Sequence, residues 1–183
     1  MKTISLKTIQ TVLIAFVITA ATAVQAQVGG WKADLIKEAD TALVEMIKKQ
    51  PKLQSFKDKS YGYAVFPKVT KGAIGVGGAG GKGIVYKAHV PTGQSTLSQA
   101  TIGFQLGGQQ YKEVIFFENE EAYKKFTNKK VKFNGQASAV AITEGASVDV
   151  AWKDGMAIFT QTSGGLMFEA SVGGQNFKFK PKE

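Results

Sequence analysis

The chain has 183 residues, with 23 lysine plus arginine against 14 aspartate plus glutamate, one histidine and no cysteine, for a formal net charge of +9. That composition excludes disulfide frameworks, cysteine nucleophiles and the usual His/Cys metal sites. Every basic residue is a lysine, which meets phosphate as a hydrated point charge without arginine's planar fork. A diffuse attraction to anionic surfaces therefore fits better than sequence reading of a nucleic acid, and no nucleic-acid partner or cofactor is expected.

Residues 1–26 read as a secretory leader. Lys2 and Lys7 form its basic end, Val12 to Ala20 its apolar middle and Val24-Gln25-Ala26 its small-residue cleavage pattern. A transmembrane anchor is the alternative, but the apolar run is shorter than the ~20 residues a membrane span needs and the cleavage pattern follows directly. Export to the periplasm or beyond is expected, with residues 27–183 as one domain. With no cysteine, the mature protein cannot be a cysteine-anchored lipoprotein.

From Trp31 to Gln50, the residues Trp31, Leu35, Ala39, Leu43 and Ile47 recur near the helical period, and Pro51 stops the run. The polar face carries four lysines and four acids, unlike the lysine-rich face of an interfacial helix. The stripe is therefore expected to pack on the sheet, with packing on a membrane as the alternative. From Lys48 to Lys71, seven lysines are opposed only by Asp58, and a short second helix or turn is expected at Leu53 and Phe56. Such a run is either a solvated surface or an attraction for anionic head groups.

The stretch Tyr61 to Tyr86 combines strand formers with glycines that ordinary strands avoid. Read as one extended segment, it points Ala73, Gly75, Gly77, Ala79, Gly81 and Gly83 one way and Ile74, Val76, Lys82, Ile84 and Tyr86 the other. Gly75, Gly77, Gly81 and Gly83 thus form a bare face against which a helix, a second sheet or a ligand could lie, the N-terminal helix being one candidate. Gly75 to Gly80 also satisfies G-x-G-x-x-G, but glycines stand where the helix that must follow would begin. The P-loop pattern fails around Lys82, since Val76 replaces its first glycine and Gly83 its hydroxyl.

His89 to Gly93 reads as a loop, and Val114 to Phe117 as a strand. Asn119 opens an acid-started helix that ends near Asn128. Gln136 to Ile142 reads as strand, with tightly packed helix as the alternative. Val148 to Trp152, Met156 to Gln161 and Leu166 to Val172 read as an antiparallel meander with turns at Lys153-Asp154-Gly155 and Ser163-Gly164-Gly165. The segments Ile102 to Tyr111 and Phe168 to Phe177 resemble each other, each an alternating strand reaching Gly-Gly-Gln and then an aromatic, 66 residues apart. They read either as one unit used twice or as similar edge geometry. The closing Phe177 to Lys180 alternates ring and charge.

Four motifs in order, GYAVFPKVTKGAIGVGGAGGKGIVY, ATIGFQLGGQQYKEVIFF, QASAVAITEGAS and GLMFEASVGGQNFKFKP, resemble the SYLF domain family over nearly all of the chain after the leader. The resemblance implies lipid binding, with phosphoinositides as ligands of eukaryotic members and actin as a partner of some fungal ones. Ala141 to Gly145 stands where eukaryotic members commonly carry an Ala-Gly-Pro turn, which fits the bacterial secreted branch. An actin partner is not expected of an exported protein.

The expected architecture is α+β, with antiparallel, glycine-rich twisted sheets, barrel-like or packed as two, carrying an N-terminal and a central helix. The expected function is non-enzymatic binding of an anionic phospholipid, a phosphoinositide-type lipid or a membrane surface of the cell envelope. The candidate contacts are Lys68, Lys71 and Lys82 for anionic groups, with Tyr63, Phe66 and Tyr86 beside apolar chains. An envelope protein as partner is the alternative, and hydrolysis of a lipid or polymer ranks last because no nucleophile and base are spaced for it.

Overall fold

The computed structural model describes residues 33–74, 76–102, 108–128, 131–133, 140–141, 152, 154–162 and 174–182. The leader, most of Gln136 to Ile142, the strands at Val148 and Leu166, the Ser163 turn and most of the second Gly-Gly-Gln segment lie outside the described residues. Among the described residues three helices, α1 (Ala33–Lys49), α2 (Lys52–Lys59) and α3 (Glu120–Thr127), accompany eight strands. These are β1 (Gly62–Ile74), β2 (Val76–Lys87), β3 (Val90–Ile102), β4 (Gly108–Phe117), β5 (Val131–Phe133), β6 (Val140–Ala141), β7 (Met156–Thr162) and β8 (Gln175–Pro181). The class is α+β, as the patterning indicates.

The strands form a single sheet in the order β5-β8-β3-β2-β1-β4-β7-β6. Among the described residues it is neither closed into a barrel nor split into two, and its one parallel pair is the short β6 on β7. It is nevertheless strongly curled. The Gln175 side-chain amide on β8 donates to Glu113 on β4 at 3.0 Å, although four strand steps laid flat would separate them by about 19 Å. The face on which they meet is therefore the inside of the curve. Phe66, Val69, Leu97, Ile115 and Phe117 fill that inner face, joined by Phe177 and by Ala122 and Phe126 of α3.

The helices form where local chemistry starts and stops them. Asn119 caps α3 by accepting from the Ala122 amide at 3.0 Å, and Glu120 and Glu121 occupy its first turn. In α1 the buried residues are Ala39, Ala42, Leu43 and Met46, spaced i, i+3, i+4, i+7, so the apolar stripe is sealed against protein. This helix lies on β1 and β2, and the Tyr86 hydroxyl donates to Asp40 at 2.7 Å. It covers the face opposite the core of Phe66, beside α2, whose Phe56 packs on Phe116 and Phe159.

The glycine stretch is two strands and not one. Ile74 pairs with Val76, so the chain reverses between them and runs back along itself. Gly75 lies outside the described residues, and Gly77 holds a β2 position between Ala73 and Thr101. The expectation that α1 lies on the bare glycine face is overturned. A Cβ on Gly83 would stand 2.6 Å from the Phe66 ring and 2.5 Å from the Val65 carbonyl oxygen, and one on Gly81 would stand 2.7 Å from the Lys68 carbonyl oxygen. What comes close is the neighbouring strand and its side chains, inside the core.

The expected loop at His89 is shorter than its proline suggests. Only Ala88 and His89 turn, at φ 47° and 64°, and Pro91 already belongs to β3. It is accommodated by a bulge: Val85 pairs with Gly93 and Tyr86 with Pro91, which leaves Thr92 as the extra residue. The turn before β7 does form as expected, with Asp154 and Gly155 at φ 51° and 72°.

The two kinds of glycine respond differently to a side chain. Gly83→Ala forces a methyl group into the Val65 backbone and is expected to cost about 2–3 kcal/mol. A Cβ on Gly72 meets nothing within 4 Å, so Gly72→Ala is expected to stay within about 0.5 kcal/mol of wild type. Urea unfolding midpoints of the two variants check both values.

Candidate functional site

One extra residue in β1 decides what reaches the surface. Between Val65 and Lys68 the strand advances three residues while β2 advances two, and it does the same against β4 between Phe66 and Val69. The bulge falls at Pro67, which has no amide hydrogen to give a ladder. Phe66 and Val69 consequently both face the inner core. Lys68 turns to the outer face and pairs directly with Lys82 on β2.

The register continues this line across the sheet. Lys82 pairs with Thr96 on β3, and Thr96 with Lys178 on β8. Cross-strand partners share a face, so Lys68, Lys82, Thr96 and Lys178 form one row over four strands, and all four are exposed. Among the described residues none of these three lysines forms an ion pair. Lys112, beside the row on β4, is instead bound to Glu45 of α1. Lysines directly opposite one another repel at Cβ separations of about 5 Å, so the row costs stability in water and suits an anion.

A cleft of about 560 Å³ opens between α1 and β1, next to Lys68. Its lining holds Asp34, Glu38 and Glu45 against Lys37, Lys68 and Lys112. With signs balanced, it has no preference for an anion. Beyond the helix the lysines are unopposed among the described residues, and the surface on the reversal side of the row is nearly bare: Gly72, Gly78, Gly80, Ser98 and Ala100 are exposed.

The six contacts expected from the sequence do not meet. Lys68 and Lys82 do stand together, but Lys71 lies on the Val69 side of β1 and is only 3% exposed. Phe66 is fully buried on the inner face, 5.5 Å from the Phe177 ring. Tyr63 and Tyr86 are buried on the outer face beneath α1, their rings stacked at 4.7 Å. Neither tyrosine is placed to touch a surface ligand. Alternation over Ala73 to Tyr86 agrees with the register, but its glycine face is the inner one, and the bulge at Pro67 puts Phe66 on the opposite face from Lys68 and Lys82. Lys178 was legible in the ring-and-charge alternation of the last strand, but its alignment with Lys82 needed the pairing of β3 with β8.

Burial sets the electrostatics of the interior. It pushes the Tyr63 phenol up to about 12, with Asp40 adding to the effect. The Tyr86 phenol is raised further, first by burial and then by its bond to Asp40. Both remain protonated donors at physiological pH. Glu113 is fully buried, its Oε1 has no hydrogen-bond partner and its pKa is raised to about 7 by burial, with the Gln175 bond acting against this. Among the described residues no group of His, Asp or Glu could hold a metal ion.

Residues 98–183 match the family described as Ysc84, Las17-binding protein actin regulator. Beta cell expansion factor A of Aeromonas veronii is 30% identical over 142 residues, which cover 76% of this chain and 53% of that protein. The chain thus spans about half the length of that curated relative. It belongs to the SYLF domain family, a family of lipid- and actin-binding modules that are generally not enzymes.

Glu113 gives the fold a pH dependence of defined sign. Its folded-state pKa lies above its usual value of 4.5, so the folded state favours the neutral acid. Stability from this group is complete below pH ~4.5, falls as pH rises towards about 7 and is level above that. The loss is on the order of 3 kcal/mol. Glu113→Gln is expected to remove this decline, as read from the difference between the two proteins' unfolding free energies at pH 4.5 to 8.

Proposed function

We propose that this protein is a non-enzymatic binder of anionic lipid surfaces, exported through its leader and working at the cell envelope. The single observation that carries the reading is the exposed row of Lys68, Lys82 and Lys178, aligned across four strands without an acid among them. Such a row tolerates its own repulsion and gains when phosphates arrive. Near a charged membrane each lysine contributes about 1 kcal/mol, enough in combination for reversible association.

Family membership supports the ligand class, since lipid is one of the two partners that SYLF modules take. The row favours lipid over actin because its amines stand exposed on one face, Lys68 directly beside Lys82 and only Thr96 between Lys82 and Lys178, which suits a layer of head groups. Lysine in place of arginine supports recognition of surface charge over a single fixed phosphate geometry. A phosphoinositide-type head group falls within this class.

Flotation of the protein with phosphatidylglycerol-containing vesicles over a salt series tests the reading. Binding is expected to require the anionic lipid and to weaken as salt screens it. The triple variant Lys68→Gln, Lys82→Gln, Lys178→Gln is expected to bind roughly 100-fold more weakly, from about 1 kcal/mol per lysine. Its melting temperature should stay unchanged or rise, because no ion pair is lost. Flotation that ignores both salt and the triple substitution would sink the proposal.

A further inference from the structure

The cleft between α1 and β1 holds charges that the lysine row does not use. Two contacts on opposite flanks of α1 fix its walls: Asp40 accepts from the Tyr86 hydroxyl on β2, and Glu45 is paired with Lys112 on β4. Ala42, almost fully buried, and the bulged Pro67 line the space between helix and strand. Asp34, Glu38, Thr41 and Glu45 recur at i, i+4, i+7 and i+11, so one flank of the helix presents them together to the cleft. With Glu45 and Lys112 neutralising each other, Asp34 and Glu38 stand against Lys37 and Lys68. Among the described residues none of these four forms an ion pair.

We propose that this cleft receives the head group of phosphatidylethanolamine, with its ammonium at Asp34 and Glu38 and its phosphate at Lys68. The inference rests on the lipid reading and names a head group for it. A lone anion entering the cleft meets two carboxylates, and a lone cation meets two ammonium groups. A group that carries both signs satisfies both sets. Lys68 decides which end goes where, because it also belongs to the exposed row to which phosphates are assigned. A primary ammonium brings three N–H donors to the two carboxylates. The trimethylammonium of choline brings none and is held best by aromatic faces, whereas the lining of this cleft contains no ring. The volume of about 560 Å³ is that of a small-molecule site and leaves room for the glycerol beside the head group.

Flotation with vesicles that share one fraction of phosphatidylglycerol, completed with either phosphatidylethanolamine or phosphatidylcholine, tests the assignment. The ethanolamine vesicles are expected to bind roughly fivefold more tightly, as two exposed ion pairs together supply. Asp34→Asn combined with Glu38→Gln is expected to erase that preference. Thr41→Trp, which fills the cleft at an exposed position without changing charge, is expected to do the same. Asp58→Asn combined with Glu121→Gln removes equal charge from exposed positions outside the cleft and is expected to keep the preference. Salt-sensitive flotation without a preference for ethanolamine, or with one that survives both cleft variants, overturns the head-group assignment and leaves the lipid reading standing. Failure of the wild-type protein to float with either vesicle overturns both.

Discussion

The surplus residue at Pro67 is the constraint on which both faces of this protein depend. A strand without it would carry Phe66 and Lys68 to the same side, and either a ring would be lost from the core or an ammonium group would be forced into it. With it, Phe66 lies over Gly83 in the interior and Lys68 stands outside against Lys82. Proline suits the position because a bulge is where a sheet can do without an amide hydrogen. The near-contact of Phe66 with the Gly83 backbone leaves no room for a side chain there. The glycine on β2 and the bulge on β1 are thus one device seen from two strands.

The rest of the architecture follows from having two differently covered faces. The inner one is closed by the sheet's own curl, so that rings from β1, β8 and α3 meet and a glutamine on β8 reaches a carboxyl on β4. Burying Glu113 where one oxygen stays unpartnered is costly when that group is ionised. The outer face is only half covered, because α1 and α2 lie over Tyr63, Tyr86 and Phe116 and leave the far half of the long strands to solvent. Lysine, glycine, serine and threonine occupy that uncovered half.

This division also connects family and function. SYLF membership supplies a class of partner, and the open half of the sheet supplies a surface with a sign and a shape. The same strands that build the core extend past it, so the rigidity of the core sets the spacing of the lysines.

Several features were legible from residues alone because their causes are local. The capping asparagine and acids of α3, the stripe and stop of α1, the turn at Asp154-Gly155, the excess of lysine and the family motifs all act within a few residues of one another. Alternation within Ala73 to Tyr86 also kept its phase, since Ala73, Gly77, Ala79, Gly81 and Gly83 share one face of the paired strands and Lys82, Ile84 and Tyr86 the other. What it could not supply was the reversal between Ile74 and Val76, which makes two paired strands of one, and the register shift at Pro67, which puts Phe66 and Lys68 on opposite faces. Tyr63 and Tyr86 look like surface aromatics until α1 covers them, and Lys178 becomes a neighbour of Lys82 only when β8 joins β3. The sequence by itself determined the sign of the protein's charge, an excess carried wholly by lysine, because charge and composition need no fold. Tertiary structure decided where that charge gathers, because the sharing of a face by distant side chains is a property of strand pairing.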